Sequence, residues 1–311
     1  MSDDSSPTDS SSTDRSAAAS SPAASSPAAS SAAVEPQPLP QAAPVPDVLT
    51  PAEAGPTGPG AVPALRITGL RKRFGQKVAV DGVDLEVPAG SFYGLVGPNG
   101  AGKTTTLSMA TGLLRPDAGS IEVLGHDVWR DPTHAKSLVG VLSDGIALFD
   151  RLTGEQLITY HGLLNGIDRE TVASRVADLL DLLDLREAGA TLVVDYSAGM
   201  TKKAALACAL VHAPRLLVLD EPFESVDPIS AANIRDILHG YVRGGGTVIV
   251  SSHSMDLVQR MCDHVAVVAA GRVLAAGTTD DVRAGSTLED RFVELVGGRQ
   301  HNEGPSWLRT S

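Results

Sequence analysis

Cysteine and aromatic residues are scarce in this 311-residue chain, which has two cysteines, two tryptophans, four tyrosines and five phenylalanines. Cys208 and Cys262 stand far apart within apolar patterns. They read as reduced core residues of a cytosolic protein rather than as a disulfide or a metal pair. The eight histidines are scattered and show no metal-ligand spacing. No stretch approaches the roughly 18 uninterrupted apolar residues of a bilayer span. The N-terminus also lacks the basic start and apolar core of a secretory signal. A basic excess is missing too: the net charge is −12, and no basic face points to nucleic acid. Much of that charge sits in one unusual stretch. Through Pro63 the acids Asp3, Asp4, Asp9, Asp14, Glu35, Asp47 and Glu53 face the single base Arg15, half of the chain's net −12. Ser, Ala and Pro dominate residues 1–63, so this tail cannot bury enough apolar surface to offset chain entropy and is expected to be disordered. A regulatory or partner-binding role for it would suit its acidity and Ser/Thr content.

What the chain does have is Gly97-Pro98-Asn99-Gly100-Ala101-Gly102-Lys103-Thr104, which meets G-x-x-x-x-G-K-[ST] at every fixed position. The preceding Phe92–Val96 reads as a buried strand, and Thr104 through Leu114 as a helix. Glycines let successive N–H groups converge on phosphate oxygens, and the helix start adds unpaired N–H groups and the positive end of its dipole. Lys103 would reach the β- and γ-phosphates of a nucleoside triphosphate, and the Thr104 hydroxyl would bind Mg²⁺. A glycine-rich turn with a chance lysine would not sit between a strand and a helix.

The rest of the chain supplies a frame for this loop. Leu65–Ile67 and Val83–Val87 alternate as half-buried strands. Ser120–Leu124 and Leu138–Leu142 follow as further strands, and Thr153 to about Leu185 carries apolar residues at helical spacing. Apolar runs at Leu216–Leu219, Thr247–Val250 and His264–Val268 then alternate with helices, as in a parallel sheet covered by helices. Val265–Ala270 and Arg272–Ala276 turn through Gly271, and a last amphipathic helix carries Leu288, Phe292, Leu295 and Val296. Arg71-Lys72-Arg73 reads as a solvated basic face.

Leu216-Leu217-Val218-Leu219-Asp220-Glu221 is a buried strand ending in two carboxylates, a form that places Asp220 near Mg²⁺ and Glu221 near an attacking water as general base. Between the two motifs lies Tyr196-Ser197-Ala198-Gly199-Met200, followed by Thr201-Lys202-Lys203 and an Ala/Leu-rich stretch. This segment resembles the signature of ATP-binding cassette (ABC) ATPases, usually L-S-G-G-Q. Further pieces come in that family's order: Glu224-Ser225-Val226-Asp227 resembles the D-loop, Ser251-Ser252-His253 the switch histidine, and Phe74 the aromatic that stacks on adenine. The resemblance covers about Leu65 to Val296. It implies an α/β P-loop NTPase of ABC type: a mainly parallel sheet covered by helices, an N-terminal antiparallel β subdomain, and a helical subdomain inserted at about 151–198. The cassette would run over 64–297, with a flexible end over 298–311.

The resemblance also implies a mechanism. Two cassettes, here a homodimer, would pair head to tail and trap ATP between the phosphate loop of one chain and Ser197 and Gly199 of the other, with Asp227 at the seam. ATP would lie on Phe74, Gly97, Asn99, Gly100, Ala101, Gly102, Lys103, Thr104 and Thr105. Lys103, Glu221 and His253 would be the catalytic set, and Thr104, Asp220 and Asp144 the Mg²⁺ ligands. Asp144 departs from the family, which usually has glutamine there, and Ala198 replaces the first signature glycine. Alanine costs about 1 kcal/mol if that position needs positive φ and nothing if it does not. Leu288-Glu289-Asp290-Arg291-Phe292 resembles a helix of the exporter branch that serves drug, antibiotic or polysaccharide permeases. That implies an ATPase held at the inner face of the plasma membrane by a separate permease. An importer ATPase, or a soluble ABC ATPase of translation or DNA maintenance, is the alternative.

Overall fold

The computed structural model describes residues 62–145 and 147–296. The expected tail, apart from Val62 and Pro63, and the expected flexible end lie outside the described residues. Leu65–Phe74 (β1) and Lys77–Val87 (β2) form an antiparallel hairpin through Gly75 at φ 55°. Ala118–Val123 (β4) pairs with the other edge of β1, and His126–Asp127 (β5) closes this sheet in the order β2-β1-β4-β5. The basic run of β1 is paired off rather than free. Arg71 meets Asp81 at 3.1 Å and Lys72 meets Asp117 at 2.9 Å.

The second sheet is built from Phe92–Val96 (β3), Val139–Leu142 (β6), Leu216–Asp220 (β7), Thr247–Ser252 (β8), His264–Ala269 (β9) and Arg272–Thr278 (β10). Its order is β10-β9-β3-β8-β7-β6, parallel throughout except for β10, which returns antiparallel through Gly271. The apolar runs seen in sequence are central strands with two buried faces, and alternate residues feed two different cores. Tyr93, Leu95, Val218, Ile249, Ala266 and Val268 face the antiparallel sheet and the helix Lys103–Ala110 (α1). Phe92, Val96, Leu217, Leu219, Val248, Val250, Val265 and Val267 face the opposite side.

That opposite side is covered by helices, including Gly154–Leu164 (α3) and Arg169–Leu182 (α4) of the insert, Ala198–Leu210 (α5), Pro228–Arg243 (α6) and Met255–Met261 (α7). A short helix, Pro132–Ser137 (α2), precedes β6, and Thr279–Arg283 (α8) and Leu288–Leu295 (α9) end the described chain. Side-chain caps start most of these helices where the sequence turns polar. Thr153 and Gln156 form a capping box, Asp168 caps α4, and Asp227 followed by Pro228 opens α6.

Several boundaries differ from expectation for local reasons. The helix after the phosphate loop stops at Ala110 rather than Leu114, because the chain turns through Gly112 at φ 68°. The strand expected at Ser120–Leu124 starts earlier, at Ala118, and ends before Leu124, which turns at φ 49°. Cys208 and Cys262 are buried and unbridged, and burial pushes both thiols upward, Cys208 to about 12. The middle of β3 is the tightest point beneath the phosphate loop: a Cβ on Gly94 would lie 2.2 Å from Val258 Cγ1 and 3.2 Å from Cys262 Sγ. Gly94→Ala is therefore expected to destabilise the fold by about 1–3 kcal/mol through overpacking. The change is read as a lower urea midpoint at unchanged slope.

Candidate nucleotide site

The site lies at the carboxyl ends of the parallel strands, where ligands bind in open α/β sheets. The loop between β3 and α1 folds tightly against its neighbours. A Cβ on Gly97 would sit 2.1 Å from the carbonyl oxygen of Val268, and one on Gly102, at φ 104°, would sit 2.5 Å from that of Ala79. Only glycine lets the backbone approach so closely, and this leaves the loop and the start of α1 open towards a cleft of about 330 Å³. The cleft is lined by Asn99 through Thr105 together with Lys77, Ala79, Asp144, Glu221 and Glu224.

Lys103 lies along the floor with only 6% of its side chain exposed. Its Nζ donates to the Gly97 carbonyl at 2.7 Å and stands 3.6 Å from Glu221 Oε1. Glu221 Oε2 meets His253 Nδ1 at 3.1 Å, and that imidazole is half exposed. An adjoining cleft of about 260 Å³ shares Glu221 and Glu224 with the first and is lined by Ser251, Ser252 and His253. One fully buried hydroxyl organises both carboxylate residues. Ser251 Oγ donates to Asp220 Oδ1 and accepts the Glu221 N–H at 3.0 Å, following from the pairing of Asp220 with Ser251 across β7 and β8. Glu221 itself turns at φ 47°, an uncommon conformation for a residue with a side chain.

The structure thus brings together the phosphate loop, Asp144, Asp220, Glu221 and His253. Phe74, at the end of β1, is half exposed beneath the Lys72 ammonium, 5.7 Å from its ring centre, and is not among the cleft-lining residues. Ser197, Gly199 and Asp227 do not line the cleft either. Ser197 caps α5 by accepting the Met200 N–H at 3.2 Å. A Cβ on Gly199 would lie 3.2 Å from Asp227 Oδ2, so the signature helix and the start of α6 pack together. Asp227 accepts the N–H groups of Ile229 and Ser230, both at 3.0 Å. The Ser230 N–H is the main cause that holds its carboxyl below the usual range. Ala198 is the first residue of α5 and has no positive φ, so it carries no backbone penalty.

Three cleft-side residues escaped the sequence reading of the site. Ser251 is signalled only by its register opposite Asp220. The sequence reading gave Lys202 and Lys77 no role, and only the fold shows that they reach the cleft region.

Among the described residues, no group of three or more His, Cys, Asp or Glu is placed to hold a metal by itself. The cleft offers instead a hydroxyl on Thr104 and carboxylates on Asp144 and, behind them, Asp220. Such a sparse, all-oxygen set fits Mg²⁺, which keeps several waters and takes its remaining ligands from phosphates. The backbone cradle, which a Cβ at Gly97 or Gly102 would fill, fits the phosphates themselves.

Comparison with known proteins agrees with this geometry. The family described as "ABC transporter" matches residues 80–224. A daunorubicin resistance ATP-binding protein (DrrA3) of Streptomyces coeruleorubidus is 40% identical over 221 residues, 71% of this chain and 70% of that protein. The linearmycin resistance ATP-binding protein LnrL of Bacillus subtilis (strain 168) is 34% identical over 218 residues, 70% of each chain. Among solved structures, one described as the ATP-binding subunit of an ABC transporter superposes with a TM-score of 0.70 at 27% identity. It covers 75% of this chain and 99% of its own.

Because Ala198 occupies an ordinary helical position, Ala198→Gly is expected to lower stability by up to about 1 kcal/mol through helix propensity. Nucleotide turnover should stay within about twofold, since the helix-start N–H groups are retained. A severalfold gain in turnover would show instead that the alanine methyl obstructs the site.

Proposed function

This chain belongs to the ABC transporter family and is an ABC-type ATPase, and from that premise we propose that it powers export of a drug- or antibiotic-like small molecule through a separate membrane permease. The names of its relatives, resistance proteins for daunorubicin and linearmycin, support export over import and over a soluble ABC ATPase. The observation that carries the catalytic assignment is Glu221, held between Lys103 at 3.6 Å and His253 at 3.1 Å on the wall of the phosphate cleft.

ATP is the substrate. Its triphosphate would lie over the backbone N–H groups of Asn99 through Thr105, with Lys103 turning from the Gly97 carbonyl to the β- and γ-phosphates and Phe74 stacking on adenine. Thr104, Asp220 and Asp144 would hold Mg²⁺, which when bound neutralises phosphate charge. The Glu221 carboxylate takes a proton from water as that water attacks the γ-phosphorus, the bond to the bridging β–γ oxygen breaks, and ADP leaves. His253 holds Glu221 and the γ-phosphate in register. Ser197 and Gly199 are absent from the cleft of their own chain, which supports their action on the cleft of a second copy. There, the start of α5 would add N–H donors to the γ-phosphate and Asp227 would lie at the seam. Closure on ATP and reopening after hydrolysis would drive the permease, holding the ATPase at the inner face of the membrane.

Glu221→Gln is expected to lower ATP turnover by about 10²–10³-fold, as loss of a general base does, while nucleotide binding persists. The same variant with MgATP should run as a dimer in size-exclusion chromatography with light scattering. It should also retain a polytopic membrane protein when pulled from detergent-solubilised membranes. Recovery of ribosomes or DNA-associated proteins without a membrane partner would replace the exporter reading with that of a soluble ABC ATPase.

A further inference from the structure

Asp144 is the clearest departure of this chain from the family pattern, and the structure gives it a partner. Its carboxylate stands 3.7 Å from the ammonium of Lys202, on the second turn of α5. The same ammonium donates to the Glu221 carbonyl at 3.2 Å. That carbonyl also accepts the Glu224 N–H at 3.2 Å, so both of its lone pairs are engaged. The Lys202 side chain is 17% exposed and that of Asp144 48%, so water screens the pair only in part.

The charges in the cleft explain why such a lysine is needed. Asp144, Glu221 and Glu224 line it, and Asp220 lies just behind. Of the two lysines lining the cleft, Lys103 is already committed to Gly97 and Glu221, and Lys77 is solvent-exposed. An aspartate in place of a neutral residue adds one more negative charge where a triphosphate must enter, and like charges at close range repel strongly in a partly buried site. One ammonium touches both the added carboxylate and the backbone of the turn that carries the base.

Resting on the ATPase reading above, we propose that Lys202 is a positioning residue with two separable actions. It neutralises Asp144 so that the cleft admits the triphosphate, and it fixes the Glu221 main chain through its carbonyl. Asp144 and Lys202 then form a compensating pair, each tolerated because of the other. The pair also ties the loop after β6, which leads into the helical insert, to the end of β7.

A double-mutant cycle separates the two actions. Binding of a fluorescent ATP analogue is measured without Mg²⁺, in EDTA, for the full chain and for Lys202→Met, Asp144→Asn and the double variant. Lys202→Met should weaken binding about fivefold or more, within the range for directly contacting charged pairs. Asp144→Asn should leave it equal or tighter, and the double variant should return to within about twofold of Asp144→Asn alone. Turnover at saturating MgATP should fall about tenfold in Lys202→Met. Lys202→Arg should restore it by returning a side-chain donor to the Glu221 carbonyl, beside the Glu224 N–H that the carbonyl keeps. Thermal midpoints of all variants are compared, and Lys202→Gln replaces Lys202→Met if the latter does not fold. Independent effects of the two substitutions on Mg²⁺-free binding would overturn the pairing. Turnover within twofold of wild type in Lys202→Met would overturn the link to Glu221. A wild-type chain that neither binds nor hydrolyses ATP would overturn the underlying ATPase reading instead.

Discussion

The burial of Lys103 is the constraint on which the rest of the site depends. Removing an ammonium from water costs several kcal/mol unless geometry returns it. Here the return comes from the Gly97 carbonyl and the Glu221 carboxylate. Those two partners follow β3 and β7, which are not neighbours, because β8 runs between them. Lys103 therefore bridges the tip of β8, and it can do so only because parallel strands deliver their carboxyl ends to one edge. The register between β7 and β8 has to hold as well. A slip of one residue would set a different residue opposite Ser251, and its hydroxyl would lose both the Asp220 carboxylate and the Glu221 N–H.

Glu221 carries the second constraint. Its φ of 47° is a conformation that costs an L-residue roughly 1–2 kcal/mol and persists only where surroundings over-determine it. Here they do. The N–H is taken by Ser251, the carbonyl by Lys202 and Glu224, and the carboxylate by Lys103 and His253. The strained turn aims the carboxylate back over the phosphate loop instead of letting it continue along the strand.

The two anchoring motifs were legible in sequence because each is a short run whose chemistry is local: glycines before a Lys-Thr pair, and four apolar residues before two acids. The central sheet was legible because strands buried on both faces are apolar at every position, and alternate residues then supply both cores. The insert was legible from helical periodicity at Leu157, Ile158, Leu163 and Leu164 and at Val172, Val176, Leu179, Leu180 and Leu183; all are buried except Leu163, which is half-buried, and Leu164, which is exposed at the end of α3. What the sequence hid were interactions made by register and by long side chains. The role of Ser251 depends on which residue lies across from Asp220, and no local pattern encodes that. Lys202 and Lys77 carry no local signal, because a lysine's four-carbon stem lets its charge act far from its own backbone. The end of α1 was misplaced because Gly112 ends it by a backbone turn inside an otherwise helical apolar pattern.

Departures from the family pattern are absorbed where backbone rather than side chain does the binding, or where a second residue has changed to match. Ala198 and Met200 keep the helix start intact: one is its first residue, and the other donates its N–H to the cap. A phosphate there would meet amide hydrogens whose positions neither side chain alters. Tyr196, standing in place of leucine, needs more room and finds it. Its hydroxyl donates to the Ala188 carbonyl at 2.8 Å, and a Cβ on Gly154 would lie 2.0 Å from that hydroxyl oxygen. A side chain at the first residue of α3 would therefore have to displace that hydroxyl from the Ala188 carbonyl. Gly154 stands to Tyr196 as Lys202 stands to Asp144, a steric match in one case and an electrostatic match in the other. The first match lies within the helical insert, and the second ties the loop before the insert to the helix after it.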